Sequence, residues 1–101
     1  MATMLDVAQS LPIADLVWRR RAQVSGRVRS IRIRPWGEVA TMEAVVADAT
    51  GAVTVAFLGR RTVPGVALGG SLTAEGMVGA HTGKLVILNP AYSLGPVPGV
   101  G

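Results

Sequence analysis

The chain of 101 residues contains no cysteine and a single histidine, His81. Without thiols there can be no disulfide, no thiol nucleophile and no thiolate metal site. One imidazole is too few for a histidine-built zinc centre, which takes about three or four protein ligands. No cofactor or metal is expected on these grounds. Aromatic residues are scarce at 4%, and charged residues amount to 16%. That composition is too apolar for a disordered segment, which needs low hydrophobicity and high net charge. Long apolar runs are missing as well, for none approaches the roughly 18 residues of a membrane span. The stretch Met1 to Gln9 carries Asp6 and neither lysine nor arginine. It therefore lacks the basic first segment of a secretory signal, and the expected location is the cytoplasm.

What is present is a hydrophobic fraction of 50% and ten cations against six carboxylates, a formal net charge of +4. All the cations but Lys84 are arginine. The length bounds the chain at one domain. A domain of this size buries about 65% of its unfolded surface, enough for a modest core but not for a two-lobed substrate cleft. The basic excess suggests a polyanionic partner.

Residues 1–21 read as a lead-in, with a short helical possibility at Met4 to Ala8 and then Ser10 and Pro12 placed to cap and start a turn. From Arg20 the apolar pattern takes a period of two with β-branched residues, which argues for strands. Five runs follow. The first, about Arg20 to Arg34, changes parity inside itself: Val24 and Val28 are even, Ile31 and Ile33 odd. One buried face survives that change only if an extra residue is inserted near Arg29 and Ser30, which predicts a β-bulge. Gly26 in the same run predicts a sharp bend. The second run, about Val39 to Asp48, and the third, Ala52 to Leu58, are joined by Asp48-Ala49-Thr50-Gly51 as a hairpin. Residues Gly59 to Gly70 hold four glycines and Pro64 and read as a loop with at most one helical turn. The fourth run, Ser71 to Val78, turns through Ala80-His81-Thr82-Gly83 into the fifth, Lys84 to Leu88. Residues 22–94 thus make the domain, and 95–101, rich in Pro and Gly, a frayed tail.

Five short strands, the first one bulged, with a loop between the third and fourth, are what a five-stranded Greek-key barrel requires. The pieces Val24-Ser25-Gly26-Arg27-Val28, Val46 to Val55, Leu72 to Val78 and Gly83 to Tyr92 resemble OB-fold nucleic-acid-binding domains of the anticodon-binding and helicase-wedge type. The likeness covers Val24 to Leu94 and is nearest to the wedge of the bacterial branched-DNA helicase and to small stand-alone OB proteins of actinobacteria. It implies an all-β, five-stranded Greek-key OB-fold barrel behind a short N-terminal helical lead-in, with nucleic acid as partner. Single-stranded or branched DNA is expected ahead of RNA. Many such domains carry base-stacking aromatics on the outward side of the second and third strands. Here those positions read Thr41, Glu43, Val45, Thr54, Ala56 and Leu58, with no ring among them.

The binding candidates are arginines. With the bulge in place, Arg27 and Arg29 before it and Arg32 and Arg34 after it point outward, at about 6.6 to 7 Å per pair. That approximates the spacing of phosphates, to which guanidinium groups donate paired hydrogen bonds. The plainer alternative is that outward strand positions are polar in any case. Arg60 and Arg61 lie in the loop after the third run, either beside the ligand face or simply solvated. Trp36, on the turn Arg34-Pro35-Trp36-Gly37, is either a stacking platform or a lid folded over the barrel end. Trp18 is expected to plug the core where the lead-in meets the first strand, and Tyr92 to pack on the barrel with its hydroxyl at the surface.

No enzyme is expected. Gly83-Lys84 imitates the end of a phosphate loop, but position 78 is valine where such a loop needs glycine, and the context is strand-turn-strand. Glu43 and Asp48 have no accompanying nucleophile or metal set. The rival function is a protein-interaction or self-associating module, such as a homodimer, built on the outward apolar set Val45, Ala56 and Leu58.

Overall fold

The computed structural model describes residues 9–95. It is all-β: β1 (Gln9–Ser10), a 3-10 turn (Ile13–Asp15), β2 (Arg21–Trp36), β3 (Val39–Ala47), β4 (Ala52–Leu58), β5 (Ser71–His81), β6 (Lys84–Leu88) and β7 (Ala91–Leu94). The pairing order β1-β2-β3-β4-β6-β5-β7, together with a β2–β5 pairing, closes five strands into a ring. Closure depends on β2. Its first half, Arg21 to Arg27, pairs antiparallel with β5, and its second half, from Arg27 on, pairs antiparallel with β3. Arg27 stands in both registers, so the strand bends there from one neighbour to the other. Gly26 makes the bend possible, because a Cβ at that position would run into the Ala47 carbonyl.

The bulge lies where the parity change requires it, with the β2–β3 register shifting between Val28 and Ser30. Arg29 is the inserted residue. Ala22, Val24 and Val28 face the core before it, and Ile31 packs against the core after it. Inward positions of the other strands are Met42, Ala44 and Val46, then Val53, Val55 and Phe57, then Leu72, Ala74 and Val78, with Ile87 from β6. Most of these side chains are short because a ring of five strands encloses little space. Burying each valine or larger residue stabilises the fold by about 1.5 to 3 kcal/mol.

The lead-in seals the ring through Ile13 and differs from expectation. Ser10 caps nothing; it belongs to β1 and its hydroxyl donates to Gln23 Oε1 at 2.6 Å. Pro12 does precede the short turn, which has no side-chain cap. The turn is held from outside instead: the Ile13 N–H donates to Asp48 Oδ2 at 2.9 Å and the Ala14 N–H to Thr50 Oγ1 at 3.0 Å. The helical possibility at 4–8 and the tail at 96–101 lie outside the described residues. No helix among the described residues is long and apolar enough to cross a membrane.

Trp18 is not a core plug. It is 52% exposed, with the Arg19 guanidinium 4.3 Å above its ring. The backbone turns outward at this point, Arg19 having φ 69° and donating its N–H to the Val78 carbonyl, and Leu11, Ile13 and Leu16 fill the space instead. Tyr92 meets its expectation: it packs edge-on to Phe57 at 5.7 Å and donates its hydroxyl to the Pro64 carbonyl at 3.0 Å. Its strand, β7, escapes the periodicity because four residues are too few to establish a period of two.

Candidate functional site

Two hairpin tips meet on one side of the ring. The β2–β3 turn uses Gly37 at φ 63°, and the β5–β6 turn uses Thr82 at φ 49° and Gly83 at φ 81°. Positive φ at the centre of a two-residue loop matches the twist of the flanking strands and keeps both hairpins tight. Trp36 ends one strand and His81 the other. Their rings stack across the gap, with centroids 3.7 Å apart and planes 6° apart.

Between the tips runs a groove of about 480 Å³, lined by residues from five strands and the β5–β6 turn. From β2 come Ser30, Arg32, Arg34 and Trp36, of even number after the bulge, together with Pro35, and Glu43 and Val45 face them from β3. Thr54, Val86, Lys84 and His81 complete the wall. An apolar cavity of about 420 Å³ bounded by Ile13, Leu16, Ala52 and Leu85 adjoins it, sharing Val45, Thr54 and Lys84.

Glu43 organises the floor. Its Oε2 accepts the Trp36 indole N–H at 2.7 Å, and its Oε1 stands 3.9 Å from Arg34 Nε. The ion pair is loose and the Arg34 side chain 53% exposed, so it contributes at most about 1 kcal/mol. The guanidinium remains free to turn toward a ligand.

The expected comb of four arginines divides. Arg32 and Arg34 line the groove, but Arg27, Arg29, Arg60 and Arg61 are not among its described lining residues. Arg27 donates from Nη1 to the Gly69 carbonyl at 3.1 Å, on the part of β2 that borders β5. The physical reason is the bend at Arg27, where β2 passes from its pairing with β5 to its pairing with β3, so that the outward faces of the two halves look in different directions. Trp36 lines the groove with its ring stacked on His81.

The apolar set expected on the outer face does not form. Ala56 is fully buried, set between β3 and β6 in register with Glu43 and Leu88, both longer side chains. Val45 is half-buried in the groove and Leu58 is 36% exposed. Thr41, expected outward, is buried with its hydroxyl donating to the Val39 carbonyl at 3.2 Å. Conversely, the sequence did not single out His81, Lys84, Ser30 or Thr54 as a site. The expectation of a five-stranded Greek-key barrel offered one signal for His81 and Lys84, since the last hairpin loop of such a barrel borders its ligand face.

No protein-family model matches the chain, and no curated protein matches it. Solved structures do. The chain is similar to part of RecG in the structure of RecG bound to a three-way DNA junction, with a TM-score of 0.69 at 19% sequence identity. The likeness covers 90% of this chain and 13% of the RecG chain. At that identity it establishes a shared fold for a small portion of a much longer protein.

Proposed function

We propose that the five-stranded ring is an OB-fold barrel that binds nucleic acid in the groove between its two hairpin tips. The reading takes single-stranded or branched DNA ahead of RNA, and binding without catalysis. The observation that carries it is the convergence of Arg32, Arg34 and Lys84 with the Trp36–His81 stack around one groove of about 480 Å³. Single strands are held by that combination, cations tracking the backbone and rings stacking with bases. The neighbouring fold in RecG was solved on a three-way DNA junction, which supports DNA and branched DNA in particular.

The test is titration of a labelled single-stranded oligonucleotide at several salt concentrations. Three cations engaging about three phosphates give a slope of log affinity against log salt near −2, at about −0.7 per phosphate. Absence of binding at low salt, or binding with a flat salt response, overturns the reading.

A further inference from the structure

A carboxylate at the floor of a cationic groove repels phosphate, so what it accepts from a ligand must be a hydrogen-bond donor. Glu43 is positioned for that. Its side chain is 18% exposed, Oε2 is anchored by the Trp36 N–H at 2.7 Å, and Oε1 lies 3.9 Å from Arg34 Nε, beyond hydrogen-bond length. Oε1 can therefore accept from a ligand, with a guanidinium donor beside it. The Trp36 ring stacks on His81 at the same place, so a base stacking on that pair sets its edge beside the carboxylate that the indole N–H already addresses.

The geometry points to guanine as the preferred base in this groove, an inference that rests on the nucleic-acid reading above. Single-stranded bases are read on their Watson–Crick edges. Guanine places two donors side by side there, N1–H and the N2 amino group, with the acceptor O6 next in line. Two donors match the Glu43 carboxylate, and O6 matches Arg34. Adenine and cytosine set a ring-nitrogen acceptor beside their one amino donor, and thymine flanks its imino donor with two carbonyl oxygens. Each of these turns a lone pair toward the carboxylate, and a buried acceptor facing another acceptor loses rather than gains.

The experiment uses fluorescence anisotropy on thymidine tracts of about twelve nucleotides, within the span of one such domain. The tracts carry one central dG, dA or dC, or hypoxanthine in place of the guanine to delete only the N2 amino group. The dG tract is expected to bind about tenfold more tightly than the others, and hypoxanthine to lose most of that gain. In Glu43→Gln the ratio of dG-tract to plain thymidine-tract affinity falls to about one. Equal affinity for all tracts with the steep salt response retained overturns the guanine inference and leaves the nucleic-acid reading standing. Failure of every tract to bind at low salt overturns both. Guanosine monophosphate competing as well as the dG tract would assign the site to a free nucleotide and overturn a strand-borne base.

Discussion

Trp36 and His81 stand 45 positions apart in the chain, yet their rings stack 3.7 Å apart and only 6° from parallel, joining the tips of two hairpins. Trp36→Ala removes the stacking surface and the partner of His81 together. Stacking is worth about 1 to 3 kcal/mol per base, so single-strand affinity should fall roughly 10- to 100-fold. Hydrogen exchange at Thr82 and Gly83 should quicken in the free protein. Oligonucleotide titration and amide exchange read the two effects separately.

The division of the arginines predicts unequal salt responses. Arg32→Ala and Arg34→Ala should each make the log affinity against log salt slope shallower by about 0.7. Arg27→Ala, whose guanidinium is engaged with Gly69 on another part of the surface, should leave the slope unchanged. A comparison of the three variants by salt titration decides the matter.

Asp48 governs stability in acid. Burial pushes its carboxyl up, but hydrogen bonds from the Thr50 hydroxyl and from the N–H groups of Ile13, Thr50 and Gly51 outweigh that and hold it below its ordinary value of 3.8. A lowered folded value means that the unfolded chain binds protons more readily. The contribution is therefore complete above the ordinary value and is lost as pH falls through the lower one. Asp48→Ala should cost about 2 kcal/mol at neutral pH and flatten the acid limb, as measured by denaturant unfolding across pH 2 to 7.

Gly26→Ala tests the bend. The added methyl group meets the backbone of Ala47, which cannot move without opening the β2–β3 pairing. Overpacking against backbone should cost about 3 kcal/mol, visible as a lowered denaturant midpoint with an unchanged m-value.

Much of this fold is legible in the order of residues. Parity along the first run places the bulge near Arg29 and Ser30, where the register shift is found, and the hairpins at Asp48–Gly51 and Thr82–Gly83 fall within their expected turns, because side-chain alternation and turn chemistry act over a few residues. Ala56 and Thr41 show where such reasoning stops. Alternation marks both as outward, but an outward side chain on an interior strand is buried or exposed according to its cross-strand neighbours, here Glu43 and Leu88 for Ala56. Trp18 fails in the opposite sense, a large ring left in solvent because the chain turns away at Arg19.

The candidate site divides along the same line. The linear order of residues determined that Arg32, Arg34 and Trp36 share one side of a strand, since every second residue of a strand must. Only the closed ring decided that Arg27 is turned elsewhere and that His81 and Lys84 arrive opposite Trp36. Closure is a pairing between β2 and β5, distant along the chain, and no periodicity within one strand carries information about its partner across the ring.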